Sequence, residues 1–452
     1  MCGVAAVSGV SHEEKTRRSV EKMRHRGIRS TVSPGSGSSI GHVRLPIVGV
    51  GEDNDQPVKR GGWTVAFVGE VLDFRERDPK AECDIDLVVK TWVERGPQGF
   101  TDFDGFWSVV ARDDRDGSIH ALVDYLSQKP LYVRDDGVVR AVASEPDAVS
   151  CLGPIELDQI YLSSVVKWGY CPETWRTPYV GVRRMTPGEY AVIPVKGPIQ
   201  WSRTDVLHPL SSTPGSLSQE IENAVRRRVT SSDVPVACLV SGGLDSSMVL
   251  SIARRYGDIR TYHVENGEWE SCKLIAPEAT TLGLTSVDLV QGLRYMREPL
   301  DLGSLLPQVA LSDAIGRTGG ERVCLTGDGA DELFGGYGRS ARYDSQASDV
   351  WHELVAWHLP RLDRVMMRNQ IEVRSPFLAR RVAGMALGLP YRNRVNKIAL
   401  RNSARPVLPT EICDGVKRPL RTSSVESDRE GRSQELVRMF IDNHKESNYA
   451  YT

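Results

Sequence analysis

The sequence predicts two domains of different fold class: an α+β domain with antiparallel sheets, followed by an α/β domain built on a doubly wound parallel sheet. In residues 2–196, short apolar or alternating segments are broken by Asp-Gly and Pro-Gly turns, which is typical of antiparallel strands. From residue 216, continuous apolar segments alternate with helical ones, as in buried parallel strands joined by helices. A chain of 452 residues can bury a core in each domain.

The amino-terminal part mixes predicted strands with two predicted helices, which favours an α+β sandwich. The helices are residues 13–26 and residues 84–96, and Gly96 is expected to end the second helix. The predicted strands lie within residues 63–74, 106–114, 119–126, 130–144 and 190–195.

Residues 197–215 are rich in turn-forming residue types and are the predicted linker, so the domains are expected at 2–196 and 216–452. A helix should begin the second domain, capped by Ser216 or Ser218. Predicted strands follow within residues 234–240, 259–264, 286–290 and 322–327.

Charge, hydropathy and cysteine usage give no sign of a nucleic-acid-binding, membrane-spanning or secreted protein. The net charge of -2 gives no reason to expect a nucleic-acid or anionic-membrane partner, and no apolar segment approaches the roughly 18 residues of a membrane span. The start of the chain does not have the order of a secretory signal, so we expect a cytoplasmic protein. The eight cysteines form no CxxC pair, and most should be buried free thiols, with Cys2 the exception because of its position.

A glycine- and serine-rich segment follows the first predicted strand of the second domain and opens a helix. Its glycines let the backbone approach a ligand, and free N–H groups with serine hydroxyls form an anion cradle. It lacks the ending of a Walker loop. A turn with nothing bound is the plain alternative, but this residue set favours a phosphate site with a magnesium ion on the carboxylate. The segment consists of Ser241, Gly242, Gly243, Leu244, Asp245, Ser246 and Ser247.

A second cluster, TGDGADELFGGY at 326–337, also follows an apolar strand. Three carboxylates in close succession repel one another unless a cation or a substrate amine compensates them, although a solvated helix start is an alternative. Phosphate chemistry also calls for a cation, for which Lys397, Lys417 and Arg418 are candidates, each commonly a surface residue when taken alone.

These two motifs and the segment EVRSPFLARR at 372–381 resemble the synthetase domain of glutamine-hydrolysing asparagine synthetases. The amino-terminal half resembles that family's class II glutamine amidotransferase domain, which has an N-terminal-nucleophile fold. The resemblance covers nearly the whole chain. It implies ATP and Mg²⁺ as cofactors and only small-molecule substrates, namely glutamine, ATP and aspartate or another carboxylic acid. The residues themselves say nothing of oligomeric state; the resemblance suggests a homodimer.

In the amidotransferase half, the resemblance implies that Met1 is removed and that the thiolate of Cys2 attacks the glutamine amide, with its own α-amino group as base. Arg44 would bind the α-carboxylate of glutamine, while Glu70 and Asp84 would hold its α-amino group. Gly69 would belong to the catalytic and glutamine-binding set. The backbone of Leu45, Pro46, Ile47 and Val48 would line the pocket.

In the synthetase half, the resemblance implies that Leu239 and Val264 contact adenine through their backbones and that Ser241–Ser247 holds the pyrophosphate. Thr326 and Gly327 would lie near the ribose. Two metal ligands, Asp245 and Asp331, and two catalytic residues, Asp328 and Lys397, complete the implied site.

Several positions depart from the family pattern. Val68 stands where the family has an asparagine that donates to the oxyanion, and losing one such donor typically slows the reaction by about 100- to 1000-fold. Ile28 and Arg29 replace the usual Pro-Asp. Asp328 replaces a glutamate, and Ala379 replaces an aspartate.

Three functions therefore stay open. The first is ATP-dependent formation of asparagine from aspartate, with glutamine as the nitrogen donor, through a β-aspartyl-AMP intermediate. The second is a related adenylating amide synthetase, such as a β-lactam synthetase or a lasso-peptide cyclase, which Cys2 disfavours. The third is a non-catalytic regulatory relative, which the two intact synthetase motifs disfavour.

Overall fold

The computed structural model describes residues 2–211, 215–264, 269–282, 287, 289–300, 302–318, 320–337, 352–415 and 429–449. Its strands are β1 (Gly3–Ser8), β2 (Arg29–Pro34), β3 (Ser38–Arg44), β4 (Val58–Arg60), β5 (Trp63–Val71), β6 (Gly105–Asp113), β7 (Ile119–Val123), β8 (Tyr132–Asp135), β9 (Arg140–Ala143), β10 (Val182–Arg184), β11 (Glu189–Ile193), β12 (Gln200–Arg203), β13 (Val236–Leu239), β14 (Ile259–Val264), β15 (Thr280–Leu282), β16 (Val323–Leu325) and β17 (Glu372–Arg374).

The α-helices are α1 (His12–Lys22), α2 (Phe74–Arg77), α3 (Asp84–Arg95), α4 (Pro146–Ser150), α5 (Gln159–Trp168), α6 (Ser216–Thr230), α7 (Leu244–Ala253), α8 (Trp269–Lys273), α9 (Leu289–Met296), α10 (Leu302–Thr318), α11 (Ala330–Phe334), α12 (Leu359–Met367), α13 (Arg380–Gly388), α14 (Tyr391–Arg394), α15 (Ile398–Ala404), α16 (Thr410–Cys413) and α17 (Arg429–Tyr449). Short 3₁₀ turns occur at Arg24–Arg26, Glu52–Asn54, Gly96–Phe100, Pro376–Leu378 and Val395–Lys397, and Leu354–His358 is a π-helical segment.

The amino-terminal domain is a sandwich of two six-stranded antiparallel sheets, as predicted. One sheet has the order β10-β8-β9-β1-β3-β2 and the other the order β12-β11-β7-β6-β5-β4. Strand β1 is buried throughout because both of its faces are covered. Val4 and Ala6 join the main core between the sheets, while Ala5 and Val7 pack with Val20 of α1. The start of β1, where Cys2 lies, is thereby fixed in the domain.

Each predicted amino-terminal helix and strand corresponds to an observed element, and Gly96 follows α3 as its C-cap. Six strands were not predicted: β1, β2, β3, β4, β10 and β12. The last of these, Gln200–Arg203, lies within the predicted linker and pairs with β11. Its side chains are mostly exposed, so the segment has no apolar alternation and resembles a loop.

The second domain is built on a five-stranded parallel sheet with the order β15-β14-β13-β16-β17. The chain runs outward in one direction from β13 and in the other from β16, so the sheet is doubly wound, as predicted. The carboxyl ends of these two neighbouring strands are therefore the point where the strand order reverses, which is where ligands bind in such sheets.

Two local predictions in this domain were wrong. The N-cap of α6 is Gly215, at φ +81°, and no side chain caps the helix; the Ser218 hydroxyl instead donates to the Gly215 carbonyl at 2.9 Å. Residues 286–290 were predicted as a strand; 286 and 288 lie outside the described residues, Leu289 begins a helix, and Thr280–Leu282 takes the sheet edge instead. A short apolar segment does not distinguish these outcomes by itself.

The cysteine prediction is confirmed: all eight cysteines are free thiols, and Cys2 alone is only half-buried. No helix in the part of the chain that the structure describes has the length and apolar character to span a membrane.

Candidate functional site

The first group of candidate residues lies around Cys2 at the start of β1, and we call it the first pocket or thiol pocket. Its Sγ donates weakly to the carbonyl of Leu45 at 3.9 Å, and its own carbonyl accepts a hydrogen bond from Nε of Arg26 at 2.9 Å. Burial raises the pKa of the Cys2 thiol to about 11, and the carboxylates of Glu70 and Glu372 act in the same direction. A ligand or base must therefore help to generate the thiolate.

Glu70 and Asp84, both predicted to hold a substrate amino group, lie together in this pocket and are buried. Burial and the neighbouring carboxylates of Glu372 and Asp84 raise the pKa of Glu70 well above its usual range. Burial raises the pKa of Asp84 to about 6, although the backbone N–H of Val71 donates to its Oδ2 at 3.1 Å. A cluster of buried carboxylates of this kind is suited to a cationic amino group.

The second domain also contributes to this pocket, which the sequence did not reveal. Glu372 and Arg374 of β17 are fully buried, and Nε of Arg374 lies 2.7 Å from Glu372 Oε1. The same guanidinium lies 3.8 Å from Oε1 of Glu70, across the domain boundary. In the sequence, these two residues belong to a motif that resembles only the synthetase domain. Their alternating charges within a short strand are the one sign that they could also contact the amidotransferase domain.

Arg44, the predicted carboxylate ligand, ends β3 next to the start of β1. Its guanidinium donates to the Gly51 carbonyl at 2.6 Å, to the Gly49 carbonyl, and to Asp55 Oδ1 at 2.8 Å. Arg44 therefore organises the loop that follows β3. The predicted pocket-lining residues begin that loop, and all except Pro46 are buried; they are Leu45, Pro46, Ile47 and Val48.

Val68 and Gly69 lie side by side in β5. Gly69 has φ +114°, and a Cβ there would lie 1.9 Å from the carbonyl oxygen of Phe106, so only glycine fits. Val68 is buried directly opposite Ser108 of β6. The Ser108 hydroxyl is also buried and has no hydrogen-bond partner among the described residues. The side chain of Val68 offers no donor, and the loss of an oxyanion contact stays a prediction.

The second group of candidate residues lies at the carboxyl ends of β13 and β16, and we call it the second pocket or synthetase pocket. After β13, the N–H of Ser241 donates to Oγ of Ser246 at 3.1 Å, and Oγ of Ser241 accepts from the N–H of Gly243 at 3.2 Å. Gly242 has φ +90°, which turns the chain into α7. The hydroxyl of Ser247 is buried without a hydrogen-bond partner in the described structure, as expected of a group kept for a ligand.

The two loops touch at Gly327, which follows β16. A Cβ at Gly327 would lie 2.8 Å from Cβ of Asp245 and 3.0 Å from the N–H nitrogen of Ser246. Glycine is required there because the loops meet this closely. Thr326 is fixed beside it, since its N–H donates to the carbonyl of Arg374 at 3.1 Å. The two motifs predicted to share one site are therefore in direct contact.

Lys397 connects the same two loops. Its Nζ lies 2.5 Å from Oδ2 of Asp245 and 2.6 Å from Oδ1 of Asp331. Burial alone would lower the pKa of Lys397, but these two carboxylates outweigh it and raise the pKa. Lys397 and Asn396 both have left-handed backbone conformations, at φ +61° and φ +54°. Such conformations cost about 1 kcal/mol or more each and cluster at functional sites.

The geometry fits a magnesium ion that arrives with a nucleotide. Asp245 and Asp331 approach one cation from separate loops, and Mg²⁺ is commonly held by one or two carboxylates together with substrate phosphates. No group of three or more His, Cys, Asp or Glu side chains within the described ranges is arranged to hold a metal without such help.

Asp328 has a partner that sequence reasoning missed. Its Oδ1 lies 2.9 Å from Nε2 of His358, which ends the π-helical segment before α12. Burial would raise the pKa of Asp328, but the hydrogen bond and charge of His358 hold it at about 2. The pKa of His358 is raised in turn, because Asp328 outweighs the effect of burial. His358 belongs to no recognisable sequence motif and follows a short apolar segment, so the sequence alone does not predict its contact with Asp328.

The remaining predicted residues lie at strand ends. Leu239 ends β13, and Val264 ends β14 beside it in the sheet. The backbone N–H of Val240 donates to the carbonyl of Tyr262 at 2.8 Å, so these strand ends lie at the same edge as the phosphate loop. The candidate cations Lys417 and Arg418 lie outside the described residues.

A buried ion-pair network joins the two domains next to Cys2. The guanidinium of Arg26, which also holds the Cys2 carbonyl, lies 2.9 Å from Glu145 and 2.8 Å from Asp363 of α12. Asp363 also lies 3.1 Å from Nζ of Lys129. All these side chains are almost completely buried, so the first pocket is fixed in part by a helix of the second domain.

Two family models match two successive parts of the chain. Residues 1–201 match the model of a glutamine amidotransferase domain, and residues 216–357 and 350–452 match the model of asparagine synthase. Among curated relatives, asparagine synthetase [glutamine-hydrolyzing] 3 of Arabidopsis thaliana is 24% identical, covering 91% of this chain and 77% of the relative. The corresponding enzyme of Sandersonia aurantiaca is 23% identical, covering 91% and 85%. Asparagine synthetase [glutamine-hydrolyzing] 1 of Bacillus subtilis is 25% identical, covering 66% and 51%.

The amino-terminal sandwich is thus a glutamine amidotransferase domain, and it is joined to an α/β domain of asparagine-synthase type. The asparagine synthase model alone spans more than half of the sequence. The chain belongs to the asparagine synthase family.

Proposed function

We propose that this protein is a glutamine-hydrolysing asparagine synthetase, which converts aspartate, glutamine and ATP into asparagine, glutamate, AMP and pyrophosphate. The observation that carries the proposal is the meeting of Asp245, Asp331 and Lys397 at the carboxyl ends of two neighbouring parallel strands. A relative that lacked catalysis would have no reason to retain a buried lysine in a strained backbone conformation between two carboxylates.

The amidotransferase pocket would supply ammonia. With Met1 removed, the α-amino group of Cys2 would act as base for its own thiol, whose raised pKa requires such activation. The carboxylates of Glu70 and Asp84 would hold the amino group of glutamine, and Arg44 its carboxylate. Ammonia would then cross to the second domain, whose strand β17 already borders the pocket.

The synthetase pocket would activate the acid. The N–H groups and hydroxyls of Ser241–Ser247 would bind the pyrophosphate part of ATP, and the strand ends at Leu239 and Val264 the adenine. Mg²⁺, when bound by Asp245 and Asp331, would neutralise phosphate charge. Lys397 would stabilise the charge that develops while the substrate carboxylate attacks the α-phosphate.

Within this family fold, a different acceptor acid is the second candidate. Asp328 is one methylene shorter than the family's glutamate and is bound to His358, and Ala379 lacks the usual carboxylate. These two changes lie on the synthetase side, so they favour a change of acceptor. A cytoplasmic location and a homodimer stay predictions.

The test measures pyrophosphate release from ATP and Mg²⁺ with aspartate, with either glutamine or ammonium chloride as nitrogen source, and identifies the amide by mass spectrometry. Wild type and Cys2→Ala are compared. Asparagine from both sources, with only the glutamine reaction lost in Cys2→Ala, supports the proposal. Pyrophosphate release that requires another acid, found by the same assay over a panel of amino acids, favours the second candidate. The absence of any pyrophosphate release refutes both.

A further inference from the structure

Ser108, within β6, carries a hydroxyl group that the folded chain buries without using. The residue is 0% exposed, and none of the residues with described positions forms a hydrogen bond to its Oγ. A buried hydroxyl that makes no hydrogen bond destabilises a protein, and each such group in a native structure calls for an explanation. Because nothing holds this hydroxyl, it is free to donate to a substrate.

The register of the sheet places this hydroxyl beside Val68. Ser108 and Val68 lie directly opposite each other in the antiparallel pair of β5 and β6. Side chains that are opposite in such a pair point to the same face of the sheet, with their Cβ atoms about 4.5–5.5 Å apart. Val68 stands where the family pattern has an asparagine that donates to the oxyanion. A hydroxyl donor therefore lies across the strand pair from the position that lacks the amide donor.

The face that carries Val68 and Ser108 points toward the other sheet, in which β1 follows Cys2. Arg112, four residues along β6 and on the same face, donates to the carbonyl of Ser33 in that other sheet at 2.8 Å. The side chain of Cys2 packs against the core between the two sheets. The thiol and the Ser108 hydroxyl are therefore both on the inner side of the sandwich.

This part of β5 also lies close to the thiol along the strand. Glu70, two residues beyond Val68 and on the same face, is near enough to raise the pKa of the Cys2 thiol. Gly69, between Val68 and Glu70, has no side chain that would separate a substrate from the strand. The pair of Val68 and Ser108 is thus the next cross-strand pair on this face after the one that contains Glu70.

We propose that Ser108 is a catalytic residue of the amidotransferase domain, whose hydroxyl donates a hydrogen bond to the oxyanion formed from the side-chain amide of glutamine; this rests on the function proposed above. A hydroxyl hydrogen rotates freely toward an oxygen that becomes charged during the reaction. The serine side chain is shorter than that of asparagine and approaches from the neighbouring strand. It therefore replaces the missing amide donor only in part.

The thiolate sulfur of Cys2 forms a bond to the amide carbon of glutamine, and the electron pair of the C=O π bond moves to the oxygen. The α-amino group of Cys2 takes the thiol proton and passes it to the amide nitrogen. The C–N bond then breaks, ammonia leaves with the bonding electron pair, and the carbonyl forms again as a thioester. Ser108 keeps its proton throughout, and its hydrogen bond is stronger to the charged oxygen than to the carbonyl of bound glutamine.

The experiment measures glutamate release from glutamine by full-length wild type, Ser108→Ala, Val68→Asn and the double variant. We expect Ser108→Ala to lower kcat by about 10-fold, the effect of one neutral hydrogen bond, with KM for glutamine unchanged. In the Val68→Asn background the amide donates instead, so Ser108→Ala should change kcat by less than about 2-fold. Asparagine formation from ammonium chloride should be equal in all four proteins because it bypasses the thiol pocket.

The matched control is Ser8→Ala. Ser8 is also buried, and its hydroxyl likewise lacks a partner across the described residues, but it ends β1 and so lies at the opposite end of that strand from Cys2. This variant should leave kcat unchanged. Since the Ser108 hydroxyl makes no hydrogen bond within the folded protein, Ser108→Ala should keep or raise the Tm in a thermal scan.

A kcat of Ser108→Ala within about 2-fold of wild type would overturn the role of Ser108. So would equal losses in the wild-type and Val68→Asn backgrounds, or a loss accompanied by a lower Tm, since both indicate a structural role. A wild type that releases no glutamate refutes the glutaminase part of the proposed function and the role of Ser108 with it. Pyrophosphate release from ATP with ammonium chloride then decides whether the synthetase part stands.

Discussion

Substituting Asp363 should weaken the joint between the domains more than any surface substitution. Its side chain is 1% exposed and neutralises two cations at once, Arg26 at 2.8 Å and Lys129 at 3.1 Å. Asp363→Asn keeps the volume but leaves these cations in a buried site, where Glu145 remains as a partner for Arg26 only. Removing one member of a buried ion pair typically costs about 3–5 kcal/mol. We expect Asp363→Asn to lose about that much stability.

The assay is urea unfolding of the full-length protein, followed through its tryptophan fluorescence. With a slope of about 3 kcal/mol per molar urea, the expected loss moves the midpoint by roughly 1 M or more. The matched control is Asp102→Asn, whose partner Arg77 lies 3.1 Å away but whose side chain is 59% exposed. That pair should contribute about 0–1 kcal/mol.

The stabilising effect of Asp363 should depend on pH. The neighbouring charges of Arg26 and Lys129 outweigh burial and lower the pKa of Asp363, so its stabilising contribution is complete above the unfolded pKa of about 3.9. It is lost as pH falls through the lower folded value. The difference in the free energy of unfolding between wild type and Asp363→Asn should therefore be largest near neutral pH and should disappear in acid. A difference in the free energy of unfolding below about 1 kcal/mol at neutral pH, or a difference that increases in acid, would refute the reasoning.

Three further substitutions probe the two pockets. Val68→Asn should raise glutamate release from glutamine by on the order of 100-fold because it restores an oxyanion donor; no gain would mean that another group already donates. Lys397→Met should lower pyrophosphate release by about 100-fold or more, with glutamate release as the folding control, and near-normal release would exclude Lys397 from the chemistry. Gly69→Ala should lower the melting temperature more than Gly62→Ala, since both have positive φ but only Gly69 would meet another atom, the Phe106 carbonyl oxygen. Equal shifts in a thermal scan would contradict that reading.

Motif residues were predictable because their chemistry is local. The order of Ser241–Ser247 places hydroxyls, glycines and a carboxylate between an apolar strand and a helix, and the structure has that arrangement. The contact between this loop and the loop after β16, made at Gly327, followed from strand topology, since loops after neighbouring parallel strands meet at one edge. Lys397 was a candidate only by resemblance, since nothing local reveals that a lysine bridges two distant carboxylates.

What was missed depends on tertiary contacts. The β2–β3 hairpin is rich in serine and glycine, so its strands carry no clear apolar alternation. It is stabilised by the pairing of β3 with β1 on one side and with β2 on the other. His358 reaches Asp328 across 30 positions of sequence, a distance at which periodicity gives no information. The wrong strand at 286–290 arose because a short apolar segment suits a buried helix equally well.

The position of β17 has a consequence for dissecting the protein. Glu70 has a counter-charge, Arg374, on a strand that hydrogen-bonds into the other domain's sheet. An excised amino-terminal half would therefore present an open-sided pocket whose carboxylates lack that counter-charge. Efficient hydrolysis of glutamine should therefore require both domains in one chain. If the gene were divided at the linker, neither fragment would contain all the residues of the thiol pocket.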